Sequence, residues 1–136
     1  MTDPDRHAWV EPGAFPVAEG VYRIPLPLPT DGLRAVNVYA IAHDEGIVLI
    51  DAGWALEVSQ QALVETLASI GYGLGDITRF CVTHAHRDHY TQANAVRRVM
   101  EDAGRFGRPR ICVGWDERDS IRAIAHRAAN PIEAAA

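Results

Sequence analysis

The sequence predicts an α/β domain in which parallel strands are joined by helical crossovers. Three observations predict it. From residue 47 onward, strand-like and helix-like segments alternate as β-α-β-α-β-α, the pattern of a parallel sheet with crossover helices. Ile47-Val48-Leu49-Ile50 is apolar at every position, as in a strand covered on both faces. Leu56, Ser59, Leu63, Leu67 and Ile70 then recur at helical spacing, with Gly71 as the stop.

The elements follow in chain order. Residues 1–20 are rich in Pro, Gly and charge, so an irregular lead-in is expected there, with Trp9, Val10 and Phe15 folding back on the body. Val21 to Ile24 reads as a short strand. Pro25, Pro27 and Pro29 lack an N–H and argue against a central ladder position, so Leu26 to Pro29 is expected as an extended surface stretch, or else as a Pro-rich ligand for a partner. Val36 to Ala42 alternates as a strand does, and His43-Asp44-Glu45-Gly46 carries the polar residues and glycine of a hairpin turn. Arg79 to Thr83 is the next strand. Ala93, Val96, Met100 and Ala103 mark one face of a second helix ending near Gly104. Arg110 to Val113 gives a last strand, and Asp116 to about Ala129 a last helix. The domain is expected over residues 21–129, with 130–136 as a frayed Ala-rich tail.

Composition narrows the function. The 136 residues have room for one domain with a modest core, and 48% hydrophobic with 23% charged is a soluble globular balance. A net charge of -5, from 13 basic and 18 acidic residues, disfavours a general binder of nucleic acid or anionic membrane. Every basic residue is arginine. Cys81 and Cys112 lie in apolar strand-like runs and read as small buried hydrophobes rather than a disulfide framework. The acidic start Met1-Thr2-Asp3-Pro4-Asp5-Arg6 lacks the pattern of a signal peptide, and no apolar run approaches a membrane span, so a cytoplasmic protein is expected.

The chemistry concentrates in Thr83-His84-Ala85-His86-Arg87-Asp88-His89, directly after the apolar run Phe80-Cys81-Val82. Histidine is the commonest metal ligand near neutral pH, and a neighbouring carboxylate suits a hard or borderline divalent ion. If the strand continues briefly, His84 and His86 point to the same side, while Asp88 and His89 approach from the turn leading into the next helix. His7, His43 and His126 are read as ordinary histidines. In a parallel segment, ligands gather beyond the carboxyl ends of the strands, and both Asp51 and His84 end a strand. Asp51 has two readings: a turn former before Gly53, or a carboxylate that fixes an imidazole or a metal-bound water.

The His-x-His-x-Asp-His run resembles the metal-binding signature of the metallo-β-lactamase-fold hydrolase superfamily. Upstream, Gly46 to Gly53 resembles the strand ending in Asp-x-Gly that precedes that signature, and Asn37 to Ile41 and Gly20 to Ile24 resemble the opening strands. The resemblance implies the N-terminal half of a metallo-β-lactamase-like αβ/βα sandwich. It implies hydrolysis of an ester, thioester, lactone, lactam or phosphodiester by hydroxide on a divalent ion, whose water ionises near pH 7 rather than 15.7. It implies His84 and His86 on a first metal, Asp88 and His89 on a second, and Asp88 also steering the hydroxide. Zinc, as one or two ions, is the first choice, with iron or manganese open to the same nitrogen and oxygen donors.

The resemblance also implies later ligands: a third histidine, a bridging aspartate and a final histidine. Downstream of His89 the sequence offers only His126 and aspartates 102, 116 and 119, without family-like context, and Thr91-Gln92-Ala93 stands where small residues often follow the signature. A partial or shortened family domain is therefore expected. Three function classes follow: a metallo-hydrolase acting on a small-molecule substrate, a metal-binding domain without turnover, and an α/β domain acting through protein contacts. A sheet with one face uncovered is expected to self-associate or to pair with a missing second half.

Overall fold

The computed structural model describes residues 8–29 and 34–129, with side chains over 9–29 and 34–123. The first seven residues, His7 among them, the tail from 130 and the side chain of His126 lie outside the described residues. Within them, six strands form one sheet in sequence order: β1 (Phe15–Ala18), β2 (Val21–Pro27), β3 (Ala35–His43), β4 (Gly46–Ile50), β5 (Ile77–Val82) and β6 (Arg110–Val113). The first three pairings are antiparallel. The pairings β4–β5 and β5–β6 are parallel, crossed over by α1 (Glu57–Ser69) and α2 (Arg87–Asp102), and α3 (Trp115–Ala129) follows β6. This mixed α/β sheet is the expected fold class.

Alternation along the strands sorts the side chains. Ile24 and Leu26, Val38 and Ala40, Ile47 and Leu49, and Phe80 form one face, packed with Leu63 and Leu67 of α1 and Ala93 and Val96 of α2. Each of these is fully buried, and the cluster is the hydrophobic core that holds the sheet against the helices. Helix α1 ends at a backbone reversal in which Gly71 takes φ +88, and the Tyr72 N–H donates to the Leu67 carbonyl at 2.8 Å. No helix among the described residues is long and apolar enough to cross a membrane.

The other face has no helix against it among the described residues. Register places Ile41 beside Val48, Val48 beside Arg79, and Arg79 beside Arg110. A parallel row runs Tyr39, Ile50, Cys81 and Cys112. These apolar side chains and the cysteines are half-buried by their neighbours alone. Burial pushes the Cys81 thiol up from its ordinary value, the adjacent Cys112 adds to the rise, and Arg79 opposes it.

Two expectations need correction. The stretch at Pro25 to Pro29 is not a surface segment as a whole: β2 runs through Pro27, pairs along its length with β3, and buries Leu26 completely. The prolines are tolerated because β1 pairs with Val21 to Arg23, and among the described residues the far side of β2 has no partner strand at Pro25 and Pro27. The lead-in is also more regular than its composition implies. It contains a 3-10 turn at Ala8–Val10 and the strand β1, tied down where Arg23 donates to the Trp9 carbonyl at 3.0 Å and stacks over the Phe15 ring at 4.9 Å.

Leu26 is therefore a core residue and Leu28 is peripheral. Leu26→Ala is expected to destabilise the domain by about 2–5 kcal/mol in urea unfolding, and Leu28→Ala by clearly less. Equal small losses would return this stretch to the surface.

Candidate metal centre

The site lies beyond the carboxyl edge of the parallel strands, where β4 and β5 end side by side. The Asp51 N–H donates to the Cys81 carbonyl at 2.9 Å, one last ladder bond before the chains part. Asp51 then adopts φ 63, a left-handed conformation disfavoured for any residue with a Cβ but tolerated best by Asp and Asn among them. Gly53 follows at φ +90, and an added Cβ there would meet Leu26 Cδ1 at 2.8 Å. Asp-x-Gly thus turns the chain sharply over the core.

The turn aims the Asp51 carboxylate back across the strand ends, where it is only 6% exposed. Oδ1 accepts from the Thr83 N–H at 2.8 Å. The Thr83 hydroxyl lies 3.0 Å from Oδ1 and 2.8 Å from Oδ2, and Oδ2 is also 2.9 Å from His89 Nδ1. These contacts assign the imidazole protons. A carboxylate only accepts, so His89 carries a proton on Nδ1, and its Nε2 faces Asp88 Oδ2 at 3.5 Å. The one hydroxyl proton of Thr83 goes to Asp51, so the Thr83 oxygen accepts from His84 Nδ1 at 2.8 Å. His84 is then left with a free Nε2. Asp51 thus forms the turn, contacts the His89 imidazole directly and reaches the His84 imidazole through Thr83.

Strand β5 stops at Val82, so residues 83–86 form a bend and not a strand continuation. The expectation that strand alternation aligns His84 with His86 is corrected: the bend brings their rings to 4.4 Å, edge to face. His86 is the N-cap of α2, so Asp88 and His89 lie in the first helical turn rather than on a preceding loop. The His84 and His89 rings are 4.1 Å apart, His86 and His89 are 6.4 Å apart, and Asp88 Oδ2 is 3.5 Å from His89 Nε2. All the residues singled out by the sequence thus gather at one edge.

Several supporting residues carry no motif and were missed. Thr83 links Asp51 to His84. Glu117, at the start of α3, accepts from the Ala85 N–H at 3.0 Å and holds the bend between the two histidines. Thr91 accepts from the Ala55 N–H at 2.8 Å. Gln92 is fully buried, with its amide turned so that the nitrogen faces the Trp54 carbonyl and the oxygen the Gln60 N–H, each at 3.1 Å. Thr91 and Gln92 thereby pin the loop after Asp51 onto α2. Their signal in the sequence was only their place after the histidine run.

The donor set suits a borderline divalent ion in kind: imidazole nitrogens and a half-buried carboxylate. It is not closed. Among the described residues no three His, Cys, Asp or Glu side chains converge closely enough to hold an ion as they stand. The Asp51 carboxylate is engaged by Thr83 and His89, and Asp88 is turned toward His89.

Comparison with known proteins agrees with this geometry. Residues 31–121 match the family described as the metallo-beta-lactamase superfamily. A metallo-beta-lactamase family protein from Thermus thermophilus is 31% identical, with TM-score 0.52, over 55% of this chain and 25% of that one. A beta-lactamase domain protein from Burkholderia ambifaria is 24% identical, with TM-score 0.62, over 82% and 35%. BJP-1, a subclass B3 metallo-beta-lactamase of Bradyrhizobium japonicum, is 21% identical, with TM-score 0.52, over 71% and 34%. The last two likenesses show the fold alone. The chain spans about a quarter to a third of the length of these structures. Among curated proteins there is no significant match.

The backbone strain at Asp51 is measurable. Asp51→Gly and Asp51→Ala both lose the carboxylate, but only glycine relieves the left-handed φ. Asp51→Gly should therefore be more stable than Asp51→Ala by about 1–2 kcal/mol in urea unfolding, offset in part by the added chain entropy of glycine. An alanine variant as stable as the glycine one would contradict the strained turn.

Proposed function

The chain belongs to the metallo-beta-lactamase superfamily, and on that premise we propose that its histidine cluster is part of a metal-dependent hydrolase centre. The substrate is an ester, thioester, lactone, lactam or phosphodiester. One observation supports the reading above all: a single buried carboxylate sets the proton positions of two imidazoles, through His89 Nδ1 directly and through Thr83 to His84. A ligating histidine is ordinarily fixed in this way, with its second nitrogen donating to a carboxylate or another acceptor.

His84 and His86 are the ligands proposed for a first ion, and Asp88 and His89 for a second. Zinc is the first choice, with iron or manganese also compatible with these donors. A divalent ion bound there supplies Lewis acidity and a water that ionises near neutral pH. The chain's own residues prepare the site. Asp51 and Thr83 hold the rings in the tautomer that leaves Nε2 open. Asp88 Oδ2, 3.5 Å from His89 Nε2, is the oxygen proposed to orient the attacking water. The open ligand set favours a second reading, metal binding without turnover, because no three donors converge among the described residues. Turnover separates the two.

Zinc uptake, measured by equilibrium dialysis with elemental analysis, tests what the two readings share. His84→Ala with His86→Ala is expected to abolish tight uptake, whereas His43→Ala, at the far end of β3, leaves it intact. Asp51→Asn is expected to weaken zinc binding by about 10- to 100-fold. Equal loss in the double variant and in His43→Ala would sink the assignment.

A further inference from the structure

The bend between β5 and α2 hangs between two carboxylates from distant parts of the chain. Strand β5 stops at Val82, so the N–H groups that follow lie beyond the ladder. The Thr83 N–H donates to Asp51 Oδ1 at 2.8 Å, and the Ala85 N–H to Glu117 Oε2 at 3.0 Å. Asp51 reaches in from the end of β4, and Glu117 from the first turn of α3, 32 residues beyond Ala85. Ala85 is buried, so its N–H needs a partner within the protein, and a carboxylate makes the stronger, charge-assisted kind of bond. Glu117 itself is placed by the same turn, its own N–H donating to the Gly114 carbonyl at 3.0 Å. Among the described residues no basic side chain pairs with it, and its neighbour Arg118 is engaged by the Trp115 ring at 3.9 Å and by Asp119 at 3.8 Å.

Ala85 stands between His84 and His86. Its N–H belongs to the planar peptide that joins it to His84, so fixing that group fixes the dihedral angles on either side. Those angles set how one imidazole lies against the other, and the two rings meet at 4.4 Å, edge to face. The His84 ring is also held by Thr83, and the His89 ring by Asp51. Among the described residues the His86 ring has no hydrogen-bond partner, although it flanks the same bend. Its place relative to His84 depends on the backbone that Glu117 holds.

We propose that Glu117 is a positioning residue of the metal centre: through the Ala85 N–H it sets the spacing of the His84 and His86 imidazoles, and with it their joint affinity for a divalent ion. The inference rests on the metal-centre reading above. A purely structural Glu117, one that only docks the start of α3, would leave the two rings in contact when it is replaced. Gln carries an acceptor oxygen at the same reach and so keeps the bond without the charge. Asp keeps the charge in the first turn of a helix, where acids are favoured, but draws the carboxylate back by one methylene and loses the bond.

Two measurements on the full chain test it: the nuclear Overhauser contact between the His84 and His86 ring protons in the metal-free protein, and zinc affinity by competition with a chromophoric chelator. Glu117→Ala is expected to lose the ring contact and to weaken zinc binding about tenfold or more. Glu117→Asp should do the same, and it decides the matter if the alanine variant folds poorly. Glu117→Gln should keep the contact and hold the affinity within about twofold, as should Asp116→Ala, which removes an exposed carboxylate from the same turn. Rings still in contact in the Ala and Asp variants would overturn the inference, as would a Gln variant as weak as the Ala one. Zinc binding that is present in the wild type but indifferent to Glu117 would overturn the inference alone. Zinc binding absent from the wild type would overturn the metal-centre reading, and the inference with it.

Discussion

One carboxylate at the end of β4 holds the site together. Asp51 occupies the place where two parallel strands run out of partners, and its left-handed backbone turns the carboxylate inward over the ends of both. From there it reaches the backbone and hydroxyl of Thr83 on one side and His89 on the other. The bend after β5 and the first turn of α2 are thus locked to the strand before α1. A left-handed residue with a side chain is disfavoured, and the hydrogen bonds of a buried carboxylate offset that cost. Strain and orientation have the same source, as is common where a site is preorganised.

The sheet divides its labour between its faces and its ends. One face is closed by α1 and α2 around a fully buried core, which fixes where β4 and β5 stop and so where Asp51 and Thr83 stand. The other face is half-buried and carries an apolar row with cysteines and arginines. At the carboxyl edge it meets the imidazoles. Toward the other end it presents a basic concavity. The strands separate two chemically different regions.

Much of this was legible in the residues. The β-α-β-α-β-α alternation depends on local periodicity, and the strands from β3 to β6 and the helices α1 to α3 lie close to where that periodicity puts them. The convergence of Asp51 with the histidine run followed from the rule that parallel strands present their carboxyl ends together. The extent of β2 was not legible. Whether a proline sits at an unpaired side depends on how far β1 extends, which is a property of the neighbouring strand and not of the proline. Thr83, Glu117 and Gln92 were missed for a similar reason, because ordinary polar residues gain their roles only from contacts more than thirty residues away in the chain.

The central claim is that Asp51 sets the proton positions of two imidazoles before any metal arrives. A long-range proton–nitrogen correlation spectrum of the metal-free protein tests it directly, at a pH above the histidine range so that both rings are neutral. His84 and His89 are both expected to carry the proton on Nδ1, with an unprotonated Nε2. Either ring found with its proton on Nε2, or exchanging freely between the two forms, would contradict the claim.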